Sequence, residues 1–182
     1  MKTVIFAGGC FWCVEHDLRH AEGVLNVYSG YIGDTAETAN YYTVASHKTN
    51  HRESILVEYD ESKTSFKKLA QFFLDHIDPT DADGQFGDRG LSYKTAIYFK
   101  DGSEKSIAEA LLKELDESKI YDQKVNVDIL PETEFFKAEE EHQNYADKNP
   151  MRYSLYRQGS GRESFVNKTC AIRDQKTINW KD

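Results

Sequence analysis

What this 182-residue chain has little of narrows its function first. Its three cysteines, Cys10, Cys13 and Cys170, are too few and too unevenly placed for a secreted disulfide framework. No stretch approaches the roughly 20 apolar residues of a membrane span, and residues 1 to 9 are too short in apolar content for a secretory signal. A cytoplasmic, reducing setting with no membrane partner is therefore expected. Positive charge is also short: 23 Lys and Arg face 31 Asp and Glu, a net charge of −8. That balance argues against nucleic acid or an anionic membrane as the main partner. A second C-x-x-C or a paired histidine motif is missing, so a zinc site is not expected. Asp81-Ala82-Asp83-Gly84 lacks the remaining ligands and the distal glutamate of a calcium loop. Asn167-Lys168-Thr169 fits the glycosylation sequon, but without a secretory signal the match is chance.

Hydrophobic residues at 39% and aromatics at 13% describe a folded, tyrosine- and phenylalanine-rich protein. Its focus is the stretch from Phe6 to Glu15. Lys2 to Phe6 reads as a buried strand, Gly8 and Gly9 as a tight turn, and Phe11 to His20 as a helix starting near Cys10. A cysteine there meets the positive end of the helix dipole and unpaired N–H groups, which favour thiolate and lower its pKa. Phe11 and Trp12 beside it are placed to wall a small apolar pocket. The competing reading of Cys10 is a small buried residue; the strand, turn, helix start and aromatics together favour a reactive thiol.

Further along, Gly23 to Gly33 reads as a second strand and Asp34 to Arg52 as a long surface loop. Glu53 to Tyr59 is a third strand and Ser65 to His76 an amphipathic helix. Asp78 to Gly90 is a polar loop, and Tyr93 to Phe99 a fourth strand. Ser103 to Ser118 is a helix with Ile107, Ala110, Leu111 and Leu115 inward. Val125, Val127 and Ile129 mark a fifth strand. A helix from about Glu134 to Asp147 is stopped by Asn149-Pro150. With no internal repeat or domain boundary, one domain is expected, a core of residues 1–150 with residues 151–182 as an extended tail packed over it. This order suits an α/β (α+β) two-layer sandwich with a ferredoxin-like split βαβ core. A doubly wound parallel sheet is the competitor.

Cys10-Phe11-Trp12-Cys13 is a C-x-x-C. In a helix its ends lie about 5 Å apart at Cα, within disulfide range. Cys10 would be the exposed attacking sulfur and Cys13 half-buried, unless Cys13 is a core residue facing the sheet. Glu53 enters a strand from a loop, where burial can keep a carboxyl protonated near neutrality. Tyr41, Tyr42, Asp88 and Tyr93 lie in or next to the two polar loops. Taken singly, each reads as a surface or packing residue.

Taken together, these pieces resemble peptide methionine-(S)-sulfoxide reductase of the A type. The likeness rests on Gly9-Cys10-Phe11-Trp12, Gly30-Tyr31-Ile32-Gly33, Tyr41 with Thr49, His51 and Glu53, and Val57-Glu58-Tyr59-Asp60. It continues through Asp78-Pro79-Thr80, Asp88, Gly90 and Tyr93, and the Phe135 to Tyr145 stretch with Ala138-Glu139 and His142-Gln143. The resemblance implies that Cys10 attacks the sulfoxide sulfur while a protonated Glu53, assisted by Tyr41 and Tyr93, gives its proton to the oxygen. It implies that Phe11 and Trp12 enclose the substrate methyl and that Asp88 helps bind substrate through solvent. Cys10 becomes a sulfenic acid, a second cysteine condenses with it, and thioredoxin reduces the disulfide. No metal or organic cofactor is needed, and a monomer is the default.

Where the family has a small residue and a glycine before its acid, this chain reads His47-Lys48-Thr49-Asn50-His51-Arg52-Glu53. Asn50 can replace glycine by taking positive φ, and Arg52 should point away from Glu53 on the other strand face. Members resolve the sulfenic acid either from a C-terminal tail, where Cys170 lies, or from three residues after the nucleophile, where Cys13 lies; Cys13 is favoured. Two other functions use the same stretch. A thiol-disulfide oxidoreductase would need neither Glu53 nor the tyrosines, and a non-catalytic module gripping methionine-rich partners would tolerate Cys10→Ser.

Overall fold

A computed structural model describes residues 1–176, with side chains through Thr169. Lys2–Ala7 forms β1, and the glycine pair after it is dictated by space. Gly9 has φ +81°, and a Cβ there would come within 2.5 Å of Gln85; one on Gly8 would come within 2.7 Å of Phe73. Helix α1, Phe11–Arg19, then starts with Cys10 at its N-cap. Strand β2 (Val24–Ile32) leads through a loop to the short α2 (Tyr41–Ala45), where the Asn40 side chain accepts the Thr43 N–H. Strand β3 (Arg52–Tyr59) and helix α3 (Phe66–Asp75, capped by Ser65) follow. Gly84–Gln85 and Asp88–Arg89 pair as the small hairpin β4–β5. Strand β6 (Ala96–Phe99) feeds α4 (Gly102–Glu117), whose first N–H groups are accepted by Asp101. The chain continues through β7 (Asp128–Pro131), β8 (Phe135–Lys137), α5 (Tyr145–Lys148), α6 (Pro150–Gly159) and α7 (Arg162–Lys176).

Six strands make one sheet in the order β7-β6-β1-β3-β2-β8. Every neighbouring pair is antiparallel except β6 and β7, which α4 connects. This is a mixed α/β fold with helices packed on a mainly antiparallel sheet, and the doubly wound parallel alternative falls. Val4 and Phe6 of β1, Ile55 and Val57 of β3 and Ile97 of β6 join Val14, Leu18, Leu69, Phe73 and Leu111 of the helices in the main core. Ile5, Ala7, Ile32, Ala96 and Tyr98 form a smaller apolar cluster of their own. Strand alternation puts Glu53 on the helix-covered face with Ile55. Arg52 lies on the other face, donating to Thr95 O at 3.0 Å and to Asp128 at 2.6 Å. No helix among the described residues is long and apolar enough to cross a membrane.

Several expectations need correction. The segment Asp34 to Arg52 is not a plain loop, since Tyr41 opens α2. Its left-handed residue is His47 (φ 58°) rather than Asn50. The fifth strand starts at Asp128, because the Val125 N–H bonds Asp116 and the Asn126 N–H bonds Pro79 O. In α4, Ala108 and not Ala110 faces the core. No helix spans Glu134 to Asp147: Phe135–Lys137 adds an edge strand to β2, and only Tyr145–Lys148 is α-helical. The stop at Asn149-Pro150 holds, since α5 ends at Lys148, but Pro150 also begins the next helix, as its fixed φ and missing N–H suit a first helical position. The tail is accordingly the helices α6 and α7, not extended chain. Cys170 sits on the α7 backbone, and its side chain lies outside the described residues.

Candidate active site

Cys10 stands where β1 turns into α1, its carbonyl accepting the N–H groups of Cys13 (3.1 Å) and Val14 (3.3 Å). The next N–H of the helix start, that of Phe11, donates to Glu53 Oε2 at 3.0 Å. An orphan donor of a helix end thus holds the acid beside the thiol. Glu53 is 3% exposed. Burial pushes its carboxyl up to about 8, and the Phe11 hydrogen bond only partly offsets this, while nearby Asp88 adds to it. A protonated Glu53 near neutrality, expected from its place in the chain, follows from these surroundings.

The sulfurs are more buried than expected, Cys10 at 6% exposure and Cys13 at 0%. Both are free thiols. Burial pushes the Cys10 thiol well up, with its hydrogen bond to Cys13 and the nearby Glu53 charge adding to the effect; a Tyr156 hydrogen bond pulls the other way. Cys13 is lowered to about 7, because it accepts from Cys10 and feels the Arg162 and Arg157 charges, against its own burial. The expectation that the helix start alone lowers the Cys10 pKa is therefore overturned. A helix dipole offers about 1 kcal/mol, and full desolvation of a thiolate outweighs it.

Aromatic rings surround the thiol. Phe11 is buried in the core, 5.8 Å from the Tyr31 ring and 5.5 Å from His142. Trp12 stacks on Tyr145 at 3.8 Å, meets Tyr156 edge-on at 5.9 Å, and donates Nε1–H to His142 Nδ1 at 3.2 Å. Tyr41 stacks on His142 at 4.3 Å, and its backbone N–H is held by Glu139. Tyr93 packs edge-on to His47, which shares a hydrogen bond with Ser92, so this left-handed histidine steadies the turn carrying Tyr93. Burial raises the Tyr41 and Tyr93 hydroxyls, and Glu53 and Cys10 are among the charges that act on both. Both hydroxyls therefore stay protonated and able to donate at neutral pH. Among the described residues no cluster of three or more His, Cys, Asp or Glu side chains could hold a metal.

The C-terminal helices supply what sequence reasoning missed. Tyr145, Ala146 and Tyr153 pack against Cys10 and Cys13, joined by Trp12 and Tyr156. Tyr156 donates to Asp88 Oδ2, and burial raises that carboxyl. Arg157 pairs with Asp17 of α1 at 2.9 Å and with Glu163 at 2.6 Å. Arg162 is 1% exposed, donates to Gly8 O at 2.6 Å and His76 O at 3.0 Å, and lies over the Phe86 ring. The available signal was the i, i+3, i+4 spacing of Tyr153, Tyr156 and Arg157 after a proline able to start a helix.

A family model described as peptide methionine sulfoxide reductase matches residues 2–174. The peptide methionine sulfoxide reductase MsrA of Bacillus licheniformis is 44% identical over 165 residues, covering 91% of each chain. Among solved structures, reduced Mxr1 from Saccharomyces cerevisiae superposes with a TM-score of 0.76 at 27% identity, over 82% of this chain and 86% of that one. Mxr1 in complex with Trx2 shares the fold at a TM-score of 0.55 and 19% identity, over 80% and 84% of the two chains. With 44% identity over nine-tenths of its length and a family match across nearly the whole of it, this chain belongs to the peptide methionine sulfoxide reductase family.

Proposed function

We propose that this chain reduces the S epimer of methionine sulfoxide, in proteins or free, to methionine, as a repair of oxidative damage. The observation that carries this reading is Glu53, a buried carboxyl fixed on the Phe11 N–H beside Cys10 and kept neutral up to a pH of about 8. A sulfoxide oxygen leaves only when protonated, so an acid must face the nucleophile across the sulfur. Glu53 gives that proton while the Tyr41 and Tyr93 hydroxyls polarise the S=O bond. Trp12 and Phe11 enclose the methyl group, and Asp88 helps hold the substrate.

Cys10 attacks the sulfur. The sulfoxide oxygen passes to Cys10 as a sulfenic acid, the sulfoxide is reduced to methionine, and the thiol is oxidised. Cys13 then attacks Cys10 Sγ, releasing water and forming the Cys10–Cys13 disulfide. Its lowered pKa supplies the thiolate. A dithiol reductant of the thioredoxin type restores both thiols, a role in keeping with the Mxr1–Trx2 complex. No metal or organic cofactor takes part.

This reading takes the protein as a monomer acting through a single catalytic domain. The strand order β6-β1-β3-β2 supports the ferredoxin-like description of its core. Two free thiols and a thioredoxin-type partner suit the cytoplasm. A thiol-disulfide oxidoreductase would have no use for the neutral Glu53. Dithiothreitol-driven turnover of separated S and R epimers, with Cys10→Ser alongside, tests the proposal. Reduction of the S epimer alone, lost in Cys10→Ser, is expected; reduction of both epimers, or a fully active Cys10→Ser, would overturn it.

A further inference from the structure

Cys10 is a buried thiol that must lose a proton before it attacks. Among the described residues, no histidine, lysine or arginine makes a hydrogen bond to it. Glu53 is committed as an acid and cannot also serve as base. Tyr156 packs against the cluster that holds Cys10 and Cys13, and its hydroxyl and Cys13 are the hydrogen-bonding side chains that act on the Cys10 thiol. Tyr156 in turn donates to Asp88 Oδ2, from the small β4–β5 hairpin. Its ring is fixed edge-on to Trp12 and packs within the cluster that contains both cysteines. Three elements distant in sequence thus line up a thiol, a phenol and a carboxylate.

We propose that Tyr156 is a catalytic residue of this reaction, passing the Cys10 proton to Asp88. The inference rests on the reductase reading above and deepens it. As Cys10 Sγ gives its proton to the Tyr156 oxygen, Tyr156 releases its own to the Asp88 carboxylate. The result is Cys10 thiolate, an unchanged tyrosine and a neutral Asp88. Glu53 gives its separate proton to the sulfoxide oxygen, which ends in the Cys10 sulfenic acid. One turnover therefore leaves Glu53 ionised and Asp88 protonated, and solvent exchanges that proton between cycles. Burial raises the Asp88 carboxyl, so its carboxylate is a stronger proton acceptor than an exposed aspartate. The groups that act on Cys10 are Cys13 from α1, Glu53 from β3, Tyr41 from α2, Tyr93 from the turn before β6 and Tyr156 from α6 with Asp88 behind it, while the Arg162 charge from α7 acts on Cys13.

The test compares wild type, Tyr156→Phe, Asp88→Asn and the double variant. Phenylalanine keeps the ring packing, and thermal melting checks that each variant folds. One arm measures single-turnover methionine formation from the S epimer; the other measures the pH dependence of Cys10 alkylation by iodoacetamide, with Cys10 identified by peptide mass spectrometry. Each single variant should slow the single turnover by about a hundredfold. The substrate concentration for half-saturation should stay within about twofold in Tyr156→Phe, and the double variant should be no slower than the slower single. The alkylation midpoint of Tyr156→Phe should move up by about one pH unit. A turnover within about threefold of wild type would overturn the relay. So would a slow turnover with an unmoved alkylation midpoint, since it would place Tyr156 on the substrate. A wild type inert towards both epimers would sink the reductase reading, and the relay would then be decided by the alkylation midpoint alone.

Discussion

The Phe11 N–H donates to Glu53 Oε2 at 3.0 Å, so the residue after Cys10 holds the Glu53 carboxyl. This backbone-to-side-chain bond couples the start of α1 to the start of β3, and its geometry depends on the Gly8-Gly9 turn that brings Cys10 to the helix cap. Burial keeps the carboxyl protonated, and in the proposed mechanism the reaction depends on that neutral form. As its pKa is raised to about 8, kcat/KM for the S epimer should be flat from that pH down to the acid range in which Asp88 itself takes up a proton. Above the Glu53 pKa, the loss should be about tenfold per unit. Glu53→Gln should lower kcat by about 10² to 10⁴ and remove this alkaline limb.

The same substitution should affect stability in the opposite sense. Glu53 is raised in the folded state, so its neutral form favours folding. The stability it contributes is complete below the ordinary glutamate value and is lost as pH rises through about 8. Glu53→Gln has no proton to lose there. Its melting temperature should therefore fall less than that of wild type between pH 5 and 9. Calorimetry across that range would show parallel curves if Glu53 were ionised in the fold.

Cys13→Ser should separate the two halves of the cycle. The first methionine still forms, because Cys10 and Glu53 are intact. Thioredoxin-driven steady-state turnover should fall at least about tenfold, since a sulfenic acid at Cys10 has lost its neighbouring thiolate. Cys170→Ser should leave both rates unchanged. Counting methionine released per chain in single and multiple turnovers gives the answer, and the reverse pattern would make Cys170 the resolving residue.

The parts legible in the sequence were those with one clean periodicity. Strand β1, α1, β3, α3 and α4 are legible from their apolar patterns and the Gly8-Gly9 turn from its paired glycines, and the structure matches each within a few residues. Arg52 and Glu53 could be sent to opposite faces because a strand alternates. The tail hid its purpose because α6 anchors itself with Tyr153, Tyr156 and Arg157, residues that also look at home on a wet surface. Phe135 and Phe136 sit among charges that suggest a helix, yet Gly30 leaves room beside β2 for their edge strand. The dipole acting on Cys10 could be read from the chain, but the burial that outweighs it depends on rings from α5 and α6.

Trp12 is held by the Tyr145 stack and the His142 hydrogen bond. His142 Nδ1 must accept that bond, so the imidazole is neutral with its proton on Nε2. Burial lowers its pKa, which keeps it neutral to a lower pH than usual. Replacing Trp12 by alanine should weaken substrate capture, raising KM about tenfold, while kcat falls less. Steady-state kinetics with a blocked methionine sulfoxide would reveal this split. An equal fall in kcat with unchanged KM would mean that Trp12 serves the chemistry instead.

Arg162 carries a buried charge whose hydrogen-bond partners are two backbone carbonyls, Gly8 O and His76 O, with no carboxylate ion pair among the described residues. Gly8 O belongs to the turn that presents Cys10, so this side chain ties α7 to the position of Cys10. Alanine would leave both carbonyls without their donor and remove the packing on Phe86, costing about 3 kcal/mol of stability. Lysine keeps the charge but cannot span both carbonyls with a planar fork, so it should recover only part of the loss. Urea unfolding gives the stability order wild type, then Arg162→Lys, then Arg162→Ala. The two variants should also differ at Cys13, whose thiolate the Arg162 charge favours. In Arg162→Ala the Cys13 pKa should rise and disulfide formation after the first turnover should slow at neutral pH. Arg162→Lys should stay closer to wild type. Equal stability of all three proteins, with the Cys10–Cys13 disulfide forming at one rate, would show that the buried guanidinium serves neither the turn nor the thiol.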